Sequence, residues 1–320
     1  MNIKKNFNLL IIGSNFGKSH LISALRIKKF TNIYISSPNI FEKKIPKNII
    51  KYKDFKNAIN KQAFDIITIA TKPNVQNKVL NFIYIKKKFP KILFLEKPVL
   101  PESINILKKI SKNSKFLTDF IFSFNLQWIN FKKIINNFKK IDSFEYEWLF
   151  KQAYFTNNKK TWKINPKEGG GLINYYLPHA IFNILNNFKN IKFHKVNKKK
   201  YFKGKLIYLE ITFLLNKKQC HLKIGNFSEL NLHKLTFKSG KIKYSLINKT
   251  KDWLANFKIY KNEKEIKFSK KLNSKKYDRE FILSSIYSKI FNYIYNKDIA
   301  SNKLLTYKTF ELISIINKKI

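Results

Sequence analysis

Through residue 118, short apolar runs alternate with longer segments whose apolar residues recur every three or four positions. Runs of Ile, Leu and Phe predict strands at Asn8–Ile12, Asn32–Ser36, Phe64–Ala70, Ile92–Leu95 and Phe116–Phe124. The helical period predicts helices at Gly17–Lys28, where Leu21, Ile22, Leu25 and Ile27 share a stripe, and at Lys53–Lys61, Val75–Lys88 and Pro101–Lys112. Strands that are apolar at consecutive positions are buried on both faces. Alternated with helices, they imply a doubly wound parallel α/β sheet, a Rossmann domain over residues 1–118.

From Asp119 the pattern changes. Leu126–Phe138 carries one more helical period, and strands follow at Ser143–Leu149, Lys205–Leu215, Gln219–Ile224, Lys234–Phe237 and Lys241–Leu246. Several alternate apolar with polar and are joined by turns such as Asn216-Lys217-Lys218 and Ser239-Gly240. That predicts a large, mostly antiparallel open sheet with one face toward solvent or a partner subunit. The run Lys198-Lys199-Lys200 reads as an exposed loop, and Tyr277–Asn296 and Thr306–Lys318 as closing helices. Residues 119–320 are therefore expected to form a second, α+β domain for substrate binding and oligomerisation.

Composition supports two globular domains: 320 residues with 44% apolar and 16% aromatic content exclude a disordered chain. The formal charge of +46 raises a nucleic-acid partner, but of 65 basic residues only Arg26 and Arg279 are arginine. Bidentate recognition of bases and phosphates draws on arginine, and these lysines are scattered with no arm or single stripe. Abundant Lys, Asn, Ile and Phe fit an extreme base composition, so the charge implies no specific nucleic-acid partner, although its field would attract phosphorylated ligands. Cys220 stands alone, which excludes an intrachain disulfide and a multi-cysteine metal site. The run Asn8–Ile12 breaks at Gly13, as a first strand would and a signal peptide would not. No apolar stretch is long enough to span a membrane, and a cytoplasmic address is expected.

Candidate chemistry gathers at the strand ends. In Gly13-Ser14-Asn15-Phe16-Gly17 a strand enters a glycine turn and then a helix, an arrangement that presents backbone N–H groups to a diphosphate. A tight turn with no ligand would use the same two glycines. Ser36 and Ser37 end the second strand where a carboxylate would hold an adenosine ribose; hydroxyls there favour NADP over NAD, or simply begin a turn before Pro38. The third strand ends in Ala70-Thr71-Lys72-Pro73, with Gln76 just beyond, where a nicotinamide ribose would rest. The fourth ends in Glu96-Lys97-Pro98, and Lys97 is singled out among many lysines because a buried strand ends on it. Its ammonium could polarise a substrate oxygen. Downstream, Trp162 leads to Gly169-Gly170-Gly171 and then to Tyr175 and His179, four apart on one face if a helix starts after the glycines. A phenol or imidazole there could relay a proton, whereas a histidine taken alone reads as a bonded core residue. His20, His194, His221 and His233 show no partner pattern and read as structural or surface residues, and no metal-ligand spacing occurs.

With these motifs the chain resembles the Gfo/Idh/MocA oxidoreductases, named for glucose-fructose oxidoreductase and inositol dehydrogenase. The opening Leu10-Ile11-Ile12-Gly13 turn, the strand end at Pro73, Glu96-Lys97-Pro98, Asp119–Phe124 and the segment Trp162–His179 carry the resemblance. It implies a nicotinamide cofactor bordered by Glu96, Lys97 and Trp162, and a catalytic pair Lys97 and His179 assisted by Tyr175. It implies hydride transfer at a hydroxyl or carbonyl of a sugar, cyclitol or nucleotide sugar. It also implies a homodimer or homotetramer formed through the C-terminal sheet. The chain departs from the family pattern in lacking the middle glycine of the first turn. Tyr175 stands where an aspartate is usual and Leu177 where a glycine is usual. A catalytically degenerate binding relative is the alternative these departures raise.

Overall fold

The computed structural model describes residues 7–152, 161–188, 190–267, 279–295 and 299–320. The chain divides into two compact units: residues 1–119 with 279–307, and residues 120–278 with 308–320.

The first unit is built on six strands, β1 (Phe7–Ile12), β2 (Phe30–Ser36), β3 (Ile50–Tyr52), β4 (Ile66–Ile69), β5 (Ile92–Leu95) and β6 (Lys115–Thr118). Helices α1 (Phe16–Leu25), α2 (Phe55–Lys61), α3 (Pro73–Ile85) and α4 (Pro101–Ile110) connect them. All five pairings are parallel, in the order β3-β2-β1-β4-β5-β6. The order reverses direction between β1 and β4, and the crevice outside the carboxyl ends at such a switch is where these sheets take ligands. Every residue of β4 and β5 is buried, as their unbroken apolar runs require.

The sequence reading runs a strand from Phe116 to Phe124. The strand ends at Thr118, and Ile121–Phe124 is a 3-10 turn. Consecutive apolar residues mark burial here but not extension.

The helix Arg279–Tyr295 also groups with the first unit, although it follows residues 120–278 in sequence and is expected from sequence in the second domain. Leu283, Ile286, Tyr287, Ile290 and Phe291 form one buried stripe on it. Tyr287 and Phe291 pack on Phe30, and Phe291 also on Phe7. Burying such side chains is worth about 1.5–3 kcal/mol each. Serines at the contact with α1 let the backbones approach: Ser23 and Ser284 both donate to the carbonyl of Glu280.

The second unit holds α5 (Leu126–Asn136), β7 (Ser143–Lys151), α6 (Leu177–Asn187) and seven further strands. These are β8 (Ile191–Phe202), β9 (Lys205–Leu215), β10 (Lys218–Gly225), β11 (Phe227–Ser239), β12 (Ile242–Asn248), β13 (Lys258–Lys261) and β14 (Lys264–Ile266). They form one sheet, β14-β13-β12-β11-β7-β10-β9-β8, antiparallel except where β7 meets β10. On β7 the alternation is clean. Phe144, Tyr146 and Trp148 are buried, while Glu145 and Glu147 lie on the other face with Lys223 and Lys234.

The Lys198-Lys199-Lys200 run is not a loop: it lies within β8, the exposed edge strand. An edge strand solvated on both faces loses the apolar alternation by which strands are recognised, and lysines there discourage pairing with other chains.

Candidate active site

Within the first unit, the strand ends named from sequence come together at the switch point. Gly13 has φ +115°, and a Cβ on it would sit 2.2 Å from the carbonyl oxygen of Ala70. Only a glycine lets the β1 turn approach the end of β4 so closely. The Gly13 N–H donates to Ser36 O at 2.8 Å, and Ser37 Oγ donates to Ser14 Oγ at 3.0 Å. The end of β2 is thereby tied to the same turn. Asn15, the residue capping α1, makes no side-chain cap, and the first turn carries no acidic residue. Those first-turn N–H groups and a glycine-shaped approach fit an anionic diphosphate.

The predicted hydroxyl pair is largely turned inward, since Ser36 and Ser37 are both buried. Thr71 Oγ1 donates to the Lys72 carbonyl, and Pro73 starts α3. Gln76 is buried, with Nε2 donating to the Glu96 carbonyl at 2.6 Å. That bond supports the turn carrying Lys97, which is half-buried and precedes a cis peptide to Pro98.

The Glu96 carboxylate enters a buried network that the sequence did not disclose. Its Oε1 meets His20 Nε2 at 3.0 Å and Arg279 Nη2 at 2.5 Å. The same Arg279 nitrogen donates to Asp119 Oδ2 at 2.9 Å, and its guanidinium lies 4.9 Å from the centre of the Phe16 ring. On the far side, His20 Nδ1 is 3.0 Å from Tyr287 Oη, which is 2.8 Å from Thr68 Oγ1.

Burial alone would raise Glu96, but Arg279, the His20 hydrogen bond and nearby Lys97 outweigh it and bring it down to about 2. Burial and the Glu96 charge push Asp119 up to about 7, against the pull of Arg279 and Lys97. Burial likewise lowers His20. His20 read as structural or surface from sequence and is structural, sealed inside this chain of bonds. Of the residues missed, Asp119 had one signal: it is a charge inside the apolar run Phe116–Phe124.

Within the second unit, two 3-10 turns (Trp162–Ile164 and Pro166–Glu168) lead into the glycine run. A Cβ on Gly170 would lie 2.0 Å from the Trp162 carbonyl oxygen, so the run exists to let these backbones touch. The residues after it do not begin an α-helix as expected. Leu172–Tyr176 forms a π-helical turn, and α6 starts at Leu177 with Pro178 in its first turn, where no N–H is needed. The wider turn breaks the four-residue register proposed for Tyr175 and His179. Tyr175 meets Trp162 edge-on at 5.5 Å, with Lys163 Nζ 5.8 Å from its ring. Tyr176 and His179 instead share Trp148, at 5.8 and 6.0 Å.

His179 is buried, with Phe122 at 5.3 Å and Phe120 at 6.0 Å. Behind Trp148, at 4.8 Å and nearly parallel, lies His233, bonded to Tyr146 Oη at 2.6 Å and pushed down by burial to about 3. His233 is therefore a neutral core residue. Among the described residues no cluster of three or more His, Cys, Asp or Glu is placed to hold a metal ion, and no helix is long and apolar enough to cross a membrane.

No family model and no curated protein matches the sequence. Solved structures do match. The WlbA dehydrogenase from Bordetella pertussis, in complex with NADH and UDP-GlcNAcA, aligns with a TM-score of 0.78 at 10% identity, covering 98% of this chain and 95% of that one. An oxidoreductase from Thermotoga maritima aligns at 0.76 and 15% identity, covering 98% and 97%. Myo-inositol 2-dehydrogenase from Lactobacillus plantarum aligns at 0.72 and 13% identity, again covering 98% and 97%. A six-stranded parallel sheet followed by a large, mostly antiparallel one, matched over nearly full length, gives this chain the fold of the Gfo/Idh/MocA-type dehydrogenases.

Proposed function

We propose that the protein is an NAD(P)-dependent oxidoreductase acting on a hydroxyl or carbonyl of a sugar, cyclitol or nucleotide sugar. The observation that carries this reading is the placement of Lys97 at the carboxyl end of β5. There it shares the switch-point edge with the Gly13 turn, whose close approach to Ala70 suits a diphosphate. When bound, a nicotinamide cofactor supplies the hydride acceptor or donor.

The chain's own residues divide the remaining work. Gly13 to Gly17 and the start of α1 hold the diphosphate. Thr71, Lys72 and Pro73, at the end of β4, border the nicotinamide half, as does Trp162. Lys97 presents a positive charge to the substrate oxygen, favouring the alkoxide side of the reaction. His179 takes the hydroxyl proton in oxidation and returns it in reduction. Tyr175, braced by Trp162, offers a hydroxyl where the family pattern has an aspartate. Ser37 already donates to Ser14, so discrimination for a 2′-phosphate falls largely to exposed Lys43 and Lys44. The sheet face bearing Glu145, Glu147, Lys223 and Lys234 is the proposed subunit contact. Light scattering on the purified protein measures the assembly.

The test has two steps. NADH and NADPH fluorescence titration should show saturable binding, and a panel of sugars, cyclitols and nucleotide sugars should then show turnover. Lys97→Ala should cut turnover by several orders of magnitude with cofactor affinity nearly unchanged. Equal losses in both would remove the role given to Lys97. Tyr175 in the aspartate position favours a second reading, a binding protein of this fold without chemistry, for which the result is saturable NADH binding and no turnover on any substrate.

A further inference from the structure

We propose that Arg279 is a positioning residue for Lys97: one guanidinium nitrogen joins Glu96 to Asp119 and so fixes the turn from which the Lys97 amine projects. This rests on the reading of Lys97 as the group that meets the substrate oxygen.

Three segments converge on this side chain. Glu96 is the residue before Lys97, Asp119 directly follows the strand beside it, and Phe16 opens α1 in the diphosphate turn. A planar, weakly hydrated guanidinium can lie over the Phe16 ring while one of its nitrogens bonds two buried carboxylates, which suits arginine better than a compact, strongly hydrated ammonium. That accounts for an arginine here in a chain where nearly every other basic residue is lysine.

The side chains of Glu96 and Asp119 are almost fully enclosed, at 5% and 2% exposure. Two carboxylates so placed repel one another unless a cation sits between them. The groups facing the cluster are His20 and Tyr287 behind Glu96, Thr68 behind Tyr287, and Lys97, whose charge acts on both carboxylates. Removing the guanidinium would leave Lys97 to answer both carboxylates. Its ammonium form would then be favoured and its backbone released. Removing the Asp119 charge acts in the opposite sense.

The experiment is pH-dependent labelling of the full-length protein with trinitrobenzenesulfonate, reading the peptide that contains Lys97 by mass spectrometry. In Arg279→Gln the labelling midpoint of Lys97 should rise by on the order of one pH unit relative to wild type. In Asp119→Asn it should fall, and Arg279→Lys should restore part of the wild-type value. An arginine whose cluster is not coupled to the Lys97 amine predicts unchanged midpoints in every variant that folds, and that result overturns the proposal. Should Arg279→Gln fail to fold, Asp119→Asn decides: an unmoved midpoint overturns it and a lowered one supports it. NADH titration of the wild type runs alongside. Failure to bind NADH would remove the dehydrogenase reading while leaving the labelling result intact.

Discussion

Glu96 and Asp119 share one arginine nitrogen, yet their acidities move in opposite directions, and this sets a measurable pH window. Asp119 is raised from 3.8 to about 7 by burial and the Glu96 charge, so the folded state prefers it protonated. The stability this contributes is full below its ordinary value and is lost as pH rises through about 7. Glu96 runs the other way: its contribution is present above 4.5 and lost as pH falls toward about 2. Asp119→Asn cannot ionise, so the difference in Tm between variant and wild type should move in the variant's favour from pH 4 to pH 8, by the equivalent of a few kcal/mol. Thermal melts across that range check it, and a constant difference would place the wild-type charge elsewhere. Lys97 was legible in the sequence because a charge closing a buried strand is anomalous by itself. Arg279 was not, since its partners Asp119 and Glu96 lie 160 and 183 residues away and nothing local marks the pairing.

Among elements, glycines and caps decide where the site can form. Gly13→Ala meets both a positive φ and the Ala70 carbonyl, and should cost on the order of 3 kcal/mol or more while abolishing NADH binding. Gly204→Ala is the matched control. It also has a positive φ, but nothing lies within 4 Å of the added carbon, so only the backbone cost remains, about 1 kcal/mol. Chemical denaturation of the two variants separates strain from collision. Asn125 caps α5 by accepting from the Gln127 and Trp128 N–H groups, and its own amide donates to the Leu254 carbonyl. Asn125→Ala should therefore cost about 2 kcal/mol, the upper end for a cap, measured as a lower denaturant midpoint.

The central strands and most helices could be read from periodicity because burial on one or both faces writes a period into the chain. β8 and the β13–β14 hairpin escaped, being short or solvated, and the π turn before α6 escaped because nothing in Leu172–Tyr176 distinguishes it from the first turn of an α-helix.

For the whole molecule the dominant fact is charge, with 65 basic against 19 acidic side chains. Self-repulsion of this size opposes compaction, and ion pairs such as Lys234–Glu147 at 3.0 Å offset little of it. Screening should thus stabilise the protein: Tm is expected to rise by several degrees between low salt and 0.3 M sodium chloride, the reverse of a fold held by surface ion pairs. Any association with DNA should vanish over the same range, unlike the titration with NADH. The return of the Arg279 helix to the first unit bears on how such a chain is made. A ribosome that has released only the six parallel strands has delivered Glu96, Asp119 and His20, but not the cation that reconciles them or the aromatic stripe that seals them. The nascent first unit must wait for both until translation has passed through residues 120–278 of the second. Any product truncated before residue 279 lacks both the arginine that bonds Glu96 and Asp119 and the aromatic stripe of Tyr287 and Phe291.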